Sequence, residues 1–253
     1  MNPHTIKRHE NFLNAKYRSF EEQAWNQFDG IISINDGEHD YVRSKVDETV
    51  PVINAGMGVD LNQWQYCWNP ANPPRLVFYG SLSGVENQHA ALRCANRIMP
   101  LIWQKVPDAQ LWIVGANPPE ILRKLQNSPQ IKVTGFVEDV KTILSQATLL
   151  LCPLAGRYGF RSRLIEAMAL GLPIVTSTDA VYGMDLGDNQ GLISSDNDNI
   201  MADATIKLLG SRDFAKQQSF LARKQVEEKF SFEATYGKIV SFLLSFIKTE
   251  VLV

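Results

Sequence analysis

The stretch "GRYGFRSRLIEAMALGLPIVTS", residues 156–177, gathers Gly156, Gly159, Arg161, Arg163 and Glu166 between a hydrophobic run and a helical pattern. Glycines at such a point let backbone approach a ligand closely. Guanidinium groups present forked donors that match phosphate oxygens. The first turn of a helix adds unpaired N–H groups and a partial positive charge. Together these residue types suit an anionic ligand, with a diphosphate as the best match. Glu166 stands about one turn further in, from where its carboxylate can accept hydrogen bonds from a neutral polyol such as ribose. A carboxylate aimed at the diphosphate itself would be repelled. The same glutamate could instead complement the helix dipole and pair with Arg163 three residues earlier, and spacing does not choose between the two.

No other catalytic pattern competes. The sequence holds no P-loop, no GxGxxG after its first strand, no HExxH and no GxSxG, and its four histidines form no ligand spacing. His89 reads as a solvent-facing residue in a first helical turn. Glu86 and Asn87, in that turn, serve equally well as capping residues or as the wall of a ligand crevice.

The elements that position these residues follow from apolar periodicity. Runs such as "RLVFYG", "QLWIVG", "IKVTG", "TLLLCPL" and "PIVTS" are apolar throughout, as strands buried on both faces are. Between them lie helical patterns over 86–105, 118–126, 138–145 and 162–170. Alternating strands and helices predict a doubly wound parallel sheet, an α/β fold. In such a sheet ligands bind beyond the carboxyl ends of the strands. Gly80, Gly115, Gly135 and the segment 155–163 are therefore the candidate positions.

Upstream, residues 5–28 read as a mostly polar helix, "IISIN" as a short strand and 38–45 as a second helix. The stretch 62–74 is rich in Pro and Asn and reads as a linker. Downstream come helices over 198–209, 212–228 and 231–249. The last carries an apolar stripe of Phe232, Tyr236, Ile239, Phe242, Leu243 and Phe246. The expected organisation is a partial first α/β domain over 1–61, the linker, a ligand-binding domain over 75–230 and a closing helix over 231–253.

Composition narrows the class of protein. With 253 residues, 45% hydrophobic and 21% charged, the chain is large enough for one big or two modest cores. A net charge of -2 without a long basic run argues against nucleic acid as a partner. Cys67, Cys94 and Cys152 are odd in number, far apart and set among apolar residues, which suits reduced core thiols and a cytoplasmic setting. Residues 1–20 lack the apolar core of a signal peptide, and no apolar run reaches bilayer length.

Several motifs, taken in order, resemble the retaining GT-B glycosyltransferases of the "glycosyl transferases group 1" type (family 4-like), which use nucleotide sugars. They are "LVFYGSLSGVENQHAAL", "PDAQLWIVGANPP", "IKVTGFVEDVKTILSQATLLLCPL" and "GFRSRLIEAMALGLPIVTS", spread over residues 76–230. The pattern is most similar to the branch acting in bacterial exopolysaccharide assembly, in which a glycine and then a basic residue precede Glu-Ala-Met. Gly159, Arg163 and Glu166-Ala167-Met168 stand there. The resemblance implies that Gly80, Ser81, Gly159, Arg161, Ser162 and Arg163 hold the donor diphosphate. It places Glu166 on the ribose and Gly135, Phe136 and Val137 on the base. It further implies a UDP- or GDP-sugar substrate, no metal or other cofactor, a glycan or lipid-linked acceptor, and a cytoplasmic protein peripheral to the inner membrane face.

Two departures from the resembling pattern matter. Many relatives carry Arg and Lys where this sequence has Ser81 and Asn87, and a further glutamate where it has Tyr158. Arg161 and Arg163 are the residues available to replace that positive charge. Residues 1–50 look like only the last part of an acceptor domain, which leaves two expectations: a truncated product, or a missing part supplied by another chain. On either view Phe12, Trp25, Phe242 and Phe246 are expected to be exposed. The rival expectation is a non-catalytic nucleotide-sugar-binding or partner-docking module.

Overall fold

The computed structural model describes the backbone of residues 3–157 and 159–250 and the side chains within 14–157 and 159–247. Tyr158 and the side chain of Phe12 lie outside the described residues. The chain forms two compact units, residues 1–56 with 238–253, and residues 57–237.

The smaller unit contains α1 (Pro3–Trp25), β1 (Ile31–Ser33), α2 (Asp36–Arg43) and β2 (Val52–Asn54), with β1 and β2 paired in parallel. Asn35 caps α2 by accepting from the Glu38 N–H at 2.8 Å. Its core is small: Val42, Val46 and Val50, with Trp25, Ile31 and Val52 packed against them. Trp25, expected to be exposed, thus fills this core. Phe242 and Phe246 are half-buried and meet edge to face, close enough to Gly30 that a Cβ there would lie 2.6 Å from Phe242 and 2.8 Å from Phe246. The exposed apolar residues of the unit are instead Tyr17, Phe20, Phe28, Leu243, Leu244 and Ile247, among others.

The larger unit carries six strands: β3 (Arg75–Tyr79), β4 (Gln110–Val114), β5 (Ile131–Gly135), β6 (Leu149–Cys152), β7 (Ile174–Thr176) and β8 (Leu192–Ser194). All pair in parallel, in the order β5-β4-β3-β6-β7-β8. The central strands are continuous apolar runs because both faces are covered; Leu76, Val77, Phe78 and all of β6 are fully buried. Helices α3 (Val85–Arg93), α4 (Met99–Trp103), α5 (Glu120–Arg123), α6 (Val140–Ser145), α7 (Ser162–Ala169), α8 (Asp198–Gly210) and α9 (Arg212–Lys229) follow in chain order. Helix α10 (Phe232–Glu250) starts in this unit, and its residues from Lys238 belong to the smaller one.

The doubly wound α/β reading holds, with local differences. The helix expected over 86–105 is interrupted by a π turn, Cys94–Ile98, in which the Met99 N–H reaches back to the Cys94 carbonyl. Pro100 cannot donate to the carbonyl four residues before it, so the ladder loosens just ahead of it. Strands β2 and β8 escaped the sequence reading. The stretch 62–74 packs within this unit: Cys67 N–H donates to Leu170, Asn69 N–H to Ser145, and Trp68 Nε1 to Thr148. Cys94 and Cys152 are buried, but Cys67 is exposed rather than a core thiol.

Candidate functional site

In the larger sheet, β3 leads to β4 on one side and β6 leads to β7 on the other, so the direction of winding reverses between β3 and β6. Parallel sheets open a crevice at such a point, beyond the carboxyl ends of the strands. The residues following β3 are Gly80 and Ser81; those following β6 are the glycine-containing loop and the start of α7. Two stretches about eighty residues apart in sequence thereby become neighbours.

Arg163 joins them. Its Nη1 donates to the Tyr79 carbonyl and to Asn87 Oδ1, both at 2.8 Å, and Asn87 Nδ2 donates to the Ser81 carbonyl at 2.8 Å. The guanidinium lies over Gly80: a Cβ at that residue would sit 2.4 Å from Arg163 Nη1. A side chain there would have to displace the guanidinium. Helix α3 is capped at Gly84 without a side-chain bond, so Asn87 is a tether rather than a cap.

Glu166 forms no ion pair with Arg163 among the described residues. The Tyr79 hydroxyl lies 3.0 Å from Glu166 Oε2 and 2.8 Å from the Arg163 carbonyl. Tyr79 is buried, and burial together with the Glu166 charge holds its phenol well above the usual value of 10, so it remains a donor. The Cys152 thiol at the end of β6 is pushed up to about 11 by burial, against the opposing pull of Arg163 and Arg161, and stays neutral.

The loop before α7 is held from the opposite side. Asp179 accepts from the Gly156 N–H at 3.0 Å and from Arg157 Nε at 2.9 Å, bonds that lower its pKa. Arg161 Nη2 donates back to the Gly156 carbonyl at 3.2 Å. Gly156 and Gly159 adopt φ of 94° and 65°, conformations that favour glycine. The N-terminus of α7, Arg161 followed by Ser162, carries no capping side-chain bond. Within its first turn the Leu164 N–H donates to the Arg161 carbonyl at 2.9 Å.

A cleft of about 230 Å³ opens beside these groups, lined by Tyr79, Gly80, Ser81, Gly115, Phe136 and Val137 among others. Its floor is close-packed backbone: a Cβ at Gly115 would lie 1.8 Å from the Gly80 carbonyl oxygen. Phe136 is 77% exposed at the rim. Gly135, in the same loop, ends β5 at φ 73° without lining the cleft. Of the residues singled out from the sequence, Gly80, Ser81, Gly115, Phe136 and Val137 share the cleft, and Arg163 and Glu166 reach it through Tyr79. Tyr79 was missed because a tyrosine ending an apolar strand reads as core. Asn87 was seen only as a possible cap or crevice residue.

Comparison with solved structures gives the fold. The chain superposes on sucrose-phosphate synthase from Thermosynechococcus elongatus with a TM-score of 0.73 at 18% identity, covering 90% of this chain and 61% of that one. A mutant form of S. aureus TarM, in complex with fondaparinux, α-GlcNAc-glycerol and UDP, gives 0.70 at 18%, covering 89% and 46%. Anabaena HepE, in complex with UDP and glucose, gives 0.66 at 15%, covering 87% and 64%. The chain thus spans about half to two thirds of the length of these proteins. The shared architecture is the GT-B type of parallel sheet with flanking helices. A search of curated proteins returned no match. The family model described as Glycosyl transferases group 1 matches residues 73–211, more than half of the chain and all but the last part of the larger unit's helical layer, and the chain belongs to that family.

Proposed function

We propose that this chain binds a nucleotide sugar in the β3/β6 crevice and serves in transfer of the sugar to a glycan or lipid-linked acceptor, with retention, in exopolysaccharide or cell-surface glycan synthesis. The observation that carries the reading is the meeting of Gly80, Arg163 and Glu166 at the reversal point of the sheet. Glycine backbone, a guanidinium and an uncapped helix N-terminus surround one place, and a carboxylate stands one turn away. In this reading Gly80, Ser81, Gly159, Arg161, Ser162 and Arg163 receive the diphosphate, Glu166 the ribose, and the loop of Gly135, Phe136 and Val137 the base. Electrostatic stabilisation of the departing diphosphate by fixed donors supplies the catalytic effect. The UDP held by TarM and HepE supports a uridine nucleotide as the first to test. No described helix is long and apolar enough to cross a membrane.

The chain's span relative to similar structures favours a second reading, in which it binds donor without turnover and an acceptor-side segment comes from elsewhere. Calorimetry with UDP, GDP and their sugars, paired with a donor-hydrolysis assay, separates the two. Binding lost in Glu166→Ala and Arg163→Ala, with hydrolysis or transfer in the wild type, supports the enzyme. Binding without turnover supports the module, and absence of nucleotide binding refutes both.

A further inference from the structure

Tyr79 touches two parts of the site. Its residue lines the cleft beside Gly80, Ser81, Phe136 and Val137, and its hydroxyl reaches Glu166 Oε2 at 3.0 Å and the Arg163 carbonyl at 2.8 Å. We propose that Tyr79 is the positioning residue for sugar-hydroxyl recognition: its phenol holds the Glu166 carboxylate by Oε2 so that Oε1 is presented to the ribose of the donor. The inference rests on the reading of Glu166 as the ribose acceptor and goes beyond it by naming what orients that acceptor.

Three features support it. Among the described residues Tyr79 is the side-chain donor to the Glu166 carboxylate, and that bond narrows the carboxylate's torsions. A hydrogen bond to a charged acceptor is among the stronger ones available to a phenol. Tyr79 is only 8% exposed at the end of a central strand, so its single phenolic proton is confined to two acceptors, Glu166 Oε2 and the Arg163 carbonyl, of which the charged carboxylate is the stronger. Because it also bridges to the first turn of α7, the carboxylate and the Arg163 guanidinium are both referred to one strand end. A glutamate left free in the same place would spend binding energy on being ordered, commonly a two- to tenfold loss for one side chain.

A merely structural link between β3 and α7 would alter stability or overall affinity, but not the preference for ribose hydroxyls. That preference is the ratio of dissociation constants for 2′,3′-dideoxy-UDP and UDP, measured by calorimetry on the full chain; the guanine pair replaces them if the wild type binds GDP instead. The wild type should prefer UDP by about tenfold or more, the worth of a hydrogen bond to a charged group. Glu166→Ala should abolish the preference. Tyr79→Phe, which keeps the ring, should cut it to about two- or threefold while affinity for the dideoxy compound is unchanged. A wild-type ratio in Tyr79→Phe overturns the role of Tyr79 and leaves the reading of Glu166 intact. Absence of a preference in the wild type, or its survival in Glu166→Ala, overturns both. Should Tyr79→Phe fail to fold, a crystal structure of the wild type with UDP decides the matter. Retention of the Tyr79–Glu166 bond, with a ribose hydroxyl on Oε1, supports the proposal, and a hydroxyl turned away from Glu166 refutes it.

Discussion

Replacing Asn87 by alanine should weaken binding of a nucleoside diphosphate although Asn87 need not touch it. Arg163 is held at two points, the Tyr79 carbonyl and Asn87 Oδ1, each 2.8 Å from Nη1. Alanine leaves one, and the guanidinium regains freedom that the ligand must remove again. Ordering a long side chain costs about 0.5–1.5 kcal/mol, which is about two- to tenfold in affinity. The Ser81 carbonyl also loses one of its two donors, keeping the Gly84 N–H at 3.3 Å, a stability cost of about 0.5–1.5 kcal/mol that thermal unfolding will show separately. The assay is a double-mutant cycle of Asn87→Ala and Arg163→Ala, with binding of UDP or GDP measured by calorimetry. If Asn87 acts through Arg163, its removal has little further effect once Arg163 is gone. Additivity within about 0.5 kcal/mol would refute the coupling, because independent sites add in that way.

Two further outcomes follow from the geometry. Gly115→Ala places a Cβ 1.8 Å from the Gly80 carbonyl oxygen and must push apart the ends of β3 and β4. The Gly80 N–H to Val114 and Leu82 N–H to Ala116 bonds would be strained, for a total of about 2–4 kcal/mol and a fall in Tm of about 5–15 °C. An unchanged Tm by calorimetric scan would contradict this packing. Asp179 has a depressed folded pKa, chiefly through Arg157 and then the Gly156 N–H. Its contribution is therefore present above the unfolded carboxyl value near 3.9 and disappears as pH falls through the lower folded value. Asp179→Asn should be less stable than the wild type at neutral pH, and the gap should close in acid denaturation below about pH 4. A gap independent of pH would refute the pairing.

Much of the fold was legible because one-dimensional signals suffice for it. Unbroken apolar runs such as "TLLLC" can be strands only where both sheet faces are covered, and glycines mark where those strands stop. The cluster from Gly156 to Glu166 declared its affinity for anions through residue type alone. Burial of the smaller unit's aromatics was less legible. Trp25, Phe242 and Phe246 look unpartnered in sequence, yet Trp25 completes a three-valine core and the two phenylalanines pair beside Gly30. Exposure is a property of neighbours, which composition does not contain.

The sequence by itself determined the alternation of strand and helix, the strand ends that could hold a ligand, and the donors and acceptor available there. Tertiary structure alone decided which of them meet. Arg163 is 76 residues from Asn87, and Glu166 is 87 from Tyr79, yet each pair is in hydrogen-bond contact. The cause is the strand order: β6 returns to pair with β3, not β5, and the carboxyl ends of the first and fourth strands of the sheet become adjacent. Glu166 could have paired with Arg163 along one helix, as spacing allowed. The neighbouring strand offered Glu166 the Tyr79 phenol, and offered Arg163 the Tyr79 carbonyl and, from α3, Asn87. Long-range pairing settled what local spacing left open.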